Sequence, residues 1–382
     1  MTRLMFRIGS ITKQFTAAAI MRLIEQGHVG LDDSMNKYLP DFPTRGHTVT
    51  IRHLLTHTSG IASYTSDESF MRDRTANELT HDQVLAEFKD DPFDFAPGEK
   101  WAYNNSGYYL FGMIVEKVSG KSYAAYVQDE FFTRLGLTRS RYDSSSDVIK
   151  NRAQGYRVID GKVANDKPMA KSIPGGAGGL MCSAGDLVRW QMALVSGNVV
   201  SEESFAMMTT PVVLPDGKST EYGFGLALQT YRDHASIGHD GGITGFNSMM
   251  KYLPAEKLHI AVISNSESAG SNALWDAIAK EALAIRAEMI SDLPLTAAEV
   301  ERYVGSFKFE QIQLDTRIFV EDGKLMVQGK NQPSFRLLFQ GDSEFRAEFD
   351  HDVKLVFDAE GEKAASFVLQ QGGGRQVAKR VE

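Results

Sequence analysis

The chain has 382 residues, 42% hydrophobic and 24% charged, proportions of an ordinary globular protein with length enough for two domains. A formal net charge of −8 with no long basic run argues against a nucleic-acid partner. No apolar run reaches the roughly 18 residues that a membrane span needs. Cys182 is the lone cysteine, so no intrachain disulfide can form and the redox compartment stays open. Met1–Gly9 carries no signal-peptide pattern; a longer native N-terminus would be compatible with a periplasmic or secreted protein.

Ile11, Phe15, Ala18, Ala19 and Leu23 recur at helical spacing and predict a helix over Ser10–Gln26, stopped by Gly27. A turn-rich connector follows, then a short helix from Ile51 to His57 ending at Thr58-Ser59-Gly60, and a polar stretch whose best helix is Thr80–Phe88. Pro97-Gly98 marks a turn. Ser106 is placed to cap a helix through Val118 that ends at Gly120. The glycines at 175, 176, 178 and 179 predict an irregular loop where backbone passes close to something. Ser183 with Asp186 reads as the next helix start. From Tyr222 the pattern changes to successive antiparallel strands at Phe224–Leu228, Ala235–Ile237, Phe246–Tyr252 and Leu258–Ile263, followed by an amphipathic helix over Asn272–Met289. Leu293-Pro294 is the expected boundary. Beyond it the helix signal stops, short alternating runs take over, and Asp322-Gly323 is a hairpin turn. These runs fit a small, nearly closed antiparallel barrel, with Gly372-Gly373-Gly374 as a turn tip.

Five side chains in three short patterns carry chemistry. Ser10-Ile11-Thr12-Lys13 puts a hydroxyl and an amine on one helix face, their β-carbons about 5–6 Å apart. A serine alcohol needs a neighbouring base, and lysine serves only if burial lowers its pKa. Tyr103-Asn104-Asn105 offers a phenol to relay protons and an amide to bind a substrate carbonyl or hold Lys13. His239-Asp240-Gly241-Gly242 reads as a strand end at a tight turn, where backbone N–H groups can face an oxyanion. Each has a plainer reading taken alone: a helix cap with a surface lysine, a buried tyrosine with a capping asparagine, and a histidine closing a strand.

Taken in order, Ser10-x-x-Lys13, Tyr103-x-Asn105 and His239-x-Gly241 resemble the three motifs of the penicillin-recognising serine hydrolases. The resemblance is nearest to the class C β-lactamase-related branch that holds family VIII esterases and D-stereospecific peptidases. Phe6-Arg7-Ile8-Gly9, Leu54–Gly60, Gly179–Leu187 and Gly238–Phe246 match as context, so the likeness spans Thr2–Ala287. It implies an α/β (α+β) fold: a β-lactamase-like antiparallel sheet flanked by helices, with an all-helical subdomain, over 1–292. A lipocalin-like β-barrel domain over 293–382 would follow. It further implies an acyl-enzyme on Ser10, with Lys13 and Tyr103 sharing the base and acid roles, the N–H groups of Ser10 and Gly242 holding the oxyanion, His239, Gly241 and Asn105 completing the site, and no metal or organic cofactor.

Two departures matter. The third motif of β-lactamases usually begins with lysine, which recruits the substrate carboxylate; here His239 stands in its place. A small-molecule ester or D-amino-acid peptide is therefore expected ahead of a β-lactam. Relatives usually carry two sheet strands ahead of the serine, where this chain has only Met1–Gly9. The Leu258–Ile263 strand is then expected to present an edge that meets another copy or is covered by the following helix, and the barrel offers a second self-association surface. Rival readings are a metal enzyme built on His47, His53 and His57, whose spacing lacks the glutamate of H-E-x-x-H, and an inactive binding or scaffolding protein on a hydrolase frame. Trp101 is expected to pack beside Tyr103, Phe70 and Met71 to cap the substrate cleft or to belong to a mobile loop without a chemical role, and Cys182 to be a small buried hydrophobe.

Overall fold

In the computed structural model, which describes residues 4–268, 270–285, 290–309, 314–330, 332–359, 361–371 and 374–381, the first predicted helix is split. Gly9–Ile11 forms a 3-10 turn, and helix α1 runs over Thr12–Glu25. Every residue of α1 from Thr12 to Met21 is buried, as expected for a helix surrounded by others. Phe15 stacks on Trp190 at 3.8 Å between ring centroids, adding about 0.5–1.5 kcal/mol beyond its area burial.

Helix α2 spans Asn105–Ser119 and ends where predicted, with Gly120 left-handed at φ 70°. Its cap is Asn104, not the expected Ser106: the Asn104 Oδ1 accepts from Gly107 N at 2.7 Å. Ser106 lies inside the helix, where its hydroxyl donates to Ala62 O and accepts from Tyr64 N. The predicted glycine loop is one helical turn, Gly175–Gly178, pressed against α2. A Cβ on Gly176 would sit 2.6 Å from Tyr108 O, so only glycine permits the approach. Helix α3, Ala184–Val195, is capped by Ser183 as expected, while the Asp186 carboxylate turns to Arg139 N and Ser140 Oγ. Leu180–Cys182 lies between Phe6–Arg7 and Ser140–Tyr142 in a small antiparallel sheet, and Cys182 is buried.

The main sheet runs in chain order through β1 (Ala227–Tyr231), β2 (His234–Ile243), β3 (Phe246–Leu253) and β4 (Leu258–Ser264). β2 is longer than the predicted Ala235–Ile237 and takes in His239-Asp240-Gly241-Gly242. β4 ends the strand order, α3 packs on it, and helix α4 (Ser271–Ala282) places Trp275 so that its indole donates to Ile260 O. The helix stops at Ala282, short of the predicted Met289, which itself lies outside the described residues.

The described chain divides into two compact units, Met1–Gln229 with His234–Ala279, and Thr230–Asp233 with Lys280–Glu382. In the second, eight strands from Gly305–Phe309 to Gly374–Val381 close into an antiparallel barrel. Its interior is filled by Phe307, Phe345, Phe357 and Phe367, all buried. Asp322-Gly323 makes the expected hairpin: both residues have positive φ, and Glu321 pairs with Lys324. The helix signal does not stop at Pro294, because Ala297–Tyr303 is helical. Thr296-Ala297-Ala298-Glu299 is a capping box whose serine/threonine–glutamate spacing is legible without the structure. Residues 372–373 of the predicted glycine turn lie outside the described residues.

Candidate active site

Ser10 sits on the 3-10 turn that delivers the chain into α1. Gly9 makes that turn possible: its φ is +51°, and a Cβ would lie 2.8 Å from Gly242 O. The turn therefore lies directly against β2. Gly241 serves the same approach from the strand side, since a Cβ there would strike Ile8 O.

Lys13 is fully buried, and its Nζ stands 3.1 Å from Ser10 Oγ, 2.8 Å from Asn105 Oδ1 and 2.9 Å from Ala177 O. All three partners are uncharged. Burial pulls its pKa from 10.5 down to about 7, opposed weakly by Asp240. As a neutral amine, Lys13 has two N–H groups for the Asn105 and Ala177 oxygens and one lone pair left for the Ser10 hydroxyl. Asn105 is locked in turn: its Nδ2 donates to Thr65 Oγ1 and its backbone N–H to Ser63 Oγ. Of the two roles foreseen for Asn105, holding Lys13 is the one this geometry displays.

Tyr103 hydrogen-bonds Ser10 with its hydroxyl, and its ring centroid lies 4.8 Å from Lys13 Nζ. Although 38% of the residue is exposed, the phenol end is desolvated, which pushes its pKa well up. Two neighbouring groups are thus driven in opposite directions, lysine towards the free amine and tyrosine towards the protonated phenol. This is the pattern that separates base from acid.

His239 does not end a strand at a turn. It lies mid-way along β2, and the reversal comes later, at Thr244-Gly245, because Gly241 and Gly242 pair in register with Ser248 and Asn247 on β3. Its Nδ1 lies 2.6 Å from Asp240 O, which can only accept, so Nδ1 carries the proton and Nε2 accepts from Tyr222 OH at 2.9 Å. The ring is 4% exposed, and burial, helped by Lys13, lowers its pKa to about 4. It is an uncharged imidazole 6.0 Å from the Tyr103 ring. Gly242 is exposed, with open space beside it.

Two contributors escape motif reading. Tyr222 reaches His239 from outside any pattern. His57 is buried at φ 58° among the rings of Tyr103, Tyr108 and Tyr222, at 4.5, 5.1 and 4.7 Å. Its carbonyl accepts from Ala102 N and its Nδ1 from Asn104 N, so it grips the Tyr103 segment on both sides. That leaves the proton on Nε2, which has no partner among the described residues. The only signal in the sequence was the Leu54–Gly60 context. His53 Nδ1 likewise accepts from Thr50 N, and His47 packs on Phe93, so the histidines of the metal reading have structural tasks. Trp101 packs at 6.1 Å from Tyr222, and Phe70 is in the core against Tyr64 rather than over a cleft.

The family model described as Beta-lactamase matches residues 2–284. Penicillin-binding protein 4* of Bacillus subtilis is 29% identical over 411 residues, covering 100% of this chain and 88% of that one. The crystal structure of a D-stereospecific amidohydrolase from Streptomyces sp. superposes with a TM-score of 0.65 at 29% identity, over 74% of this chain and 88% of that one. The octameric penicillin-binding protein homologue from Pyrococcus abyssi does so with a TM-score of 0.66 at 26% identity, over 98% of this chain and 88% of that one.

Proposed function

The chain belongs to the beta-lactamase family of serine hydrolases, and on that premise we propose that it forms an acyl-enzyme on Ser10 and cleaves short carboxylic esters or D-amino-acid-containing peptides. The observation that carries this reading is a desolvated amine 3.1 Å from a serine hydroxyl with only uncharged partners. Lys13 takes the Ser10 proton as Oγ attacks the carbonyl. The N–H groups of Ser10 and Gly242 receive the developing oxyanion, worth about 3–4 kcal/mol of barrier per donor. Tyr103 gives its proton to the leaving group and is re-protonated from Lys13. Water then follows the same proton path in reverse and releases the acid.

Substrate preference rests on His239. A β-lactam carboxylate gains little from a buried imidazole whose pKa is about 4 and whose two nitrogens are already engaged. The amidohydrolase similarity supports D-configured substrates, and the octameric relative supports self-association. A panel of p-nitrophenyl acetate and butyrate, D-alanyl peptides and nitrocefin, run beside Ser10→Ala, tests the proposal. Turnover of the first two groups that vanishes in Ser10→Ala is expected. Efficient nitrocefin hydrolysis would replace the substrate assignment, and ester turnover surviving in Ser10→Ala would remove the nucleophile.

A further inference from the structure

A cavity of about 430 Å³ lies in the first unit, lined by none of the catalytic side chains. Its lining includes Tyr109, Tyr123 and Tyr142, together with His81, Glu116, Gly175 and Gly176. Glu116 is held below its ordinary pKa by His81 and by the N–H of Tyr123, against the opposing effect of burial, so it is a carboxylate at neutral pH. It accepts from Tyr123 N at 2.8 Å, and His81 Nε2 lies 3.0 Å from its other oxygen. A carboxylate has about four lone-pair positions, so two are left for a ligand. A carboxylate beside aromatic walls is the surrounding that a cation with a flat apolar body prefers.

The same wall leads to the catalytic lysine. Gly175 and Gly176 face the cavity; Gly176 O accepts from Thr16 Oγ1, and Ala177 O, the next residue, accepts from Lys13 Nζ at 2.9 Å. Thr16 Oγ1 is also 2.6 Å from the hydroxyl of Tyr123, a cavity residue. The Gly175–Gly178 turn has no slack towards α2, as the Gly176 contact shows. The turn thus joins the cavity lining at Gly175 and Gly176 to the Ala177 carbonyl that holds Lys13.

We propose that this cavity is a second binding site, for a small organic ammonium, and that its occupation changes the setting of Lys13 through the Gly175–Gly178 turn. The coupling half rests on the reading of Lys13 as base; the binding half does not. Benzylammonium is the probe, followed by titration calorimetry on the wild type, on Ser10→Ala, and on two cavity variants. Glu116→Gln removes the charge, and Ala124→Phe fills the space from a half-buried lining position.

Saturable binding equal in wild type and Ser10→Ala is expected, weakened at least tenfold in each cavity variant. Saturating probe should also change the rate of Ser10 labelling by a fluorophosphonate at least twofold in the wild type and not in Ala124→Phe. Absence of saturable binding, or binding indifferent to both cavity variants, overturns the site. Binding that disappears once Ser10 is labelled would put the probe in the catalytic cleft and overturn it equally. Binding as expected with an unchanged labelling rate overturns the coupling, whereas a chain whose Ser10 never labels refutes the hydrolase reading and leaves the binding result standing.

Discussion

Replacing Lys13 by methionine gives the sharpest check on the site, because it separates catalytic need from thermodynamic cost. The lysine pKa falls from 10.5 to about 7 on folding. Between those values the unfolded chain holds a proton that the native one has released, so the stability of the wild type rises with pH across this window. Below pH 7 both states are protonated, and the native state bears the full cost of a buried cation. Integrating the site from pH 6 to pH 10 gives about 2.8 pH units of differential protonation, or about 4 kcal/mol. Lys13→Met lacks this term. Its stability relative to wild type should therefore fall by about 4 kcal/mol between pH 6 and pH 10, titrations of groups that Lys13 does not influence cancelling in the difference. Guanidinium denaturation of both proteins at the two pH values measures it. A difference that stays constant within about 1 kcal/mol, or moves the other way, would show that Lys13 is not depressed and that the base assignment is wrong. Acylation of the wild type carries the companion signature: its rate should rise through a midpoint near pH 7 rather than above pH 9.

Tyr103→Phe keeps the ring against Lys13 and removes only the hydroxyl on Ser10, so stability should hold while kcat falls roughly 10²–10⁴-fold. Equal kcat in stopped-flow acylation would take Tyr103 out of the proton path. His57→Ala removes the ring from among Tyr103, Tyr108 and Tyr222 and orphans Asn104 N, a loss of about 2 kcal/mol or more with kcat reduced more than KM is raised. His57→Asn tolerates the left-handed backbone and supplies an oxygen in place of Nδ1, so it should recover much of both. Thermal melts and ester kinetics on the pair decide it, and equal damage in the two variants would contradict the two-sided grip.

Glycine and capping signals held where they act alone. Gly120, Ser183 and Asp322-Gly323 act locally, through φ and one hydrogen bond, and behave as their residue types require. Errors arose where the outcome depended on neighbours. Asn104 displaced Ser106 as cap because Ser106 found partners in Ala62 and Tyr64, some forty residues earlier. His239 was set at a turn because a His-Asp-Gly-Gly string resembles one, but β3 pairs with that segment and holds it extended.

The sequence by itself determined that a hydroxyl and an amine would stand three residues apart at the entry to a helix, close enough for their side chains to meet. It also determined the order of the motifs and the aromatic alternation that fills the barrel. What lowers the pKa of the amine was decided only by the tertiary structure. The carbonyl of Ala177 lies 164 residues from Lys13 and the amide of Asn105 lies 92 away. His57 and Tyr222 belong to no motif, and each acts through a neighbour. Spacing along a chain sets which groups can meet, but a pKa is set by how much water is removed and which dipoles replace it. Those are properties of packing, to which distant segments contribute as much as near ones.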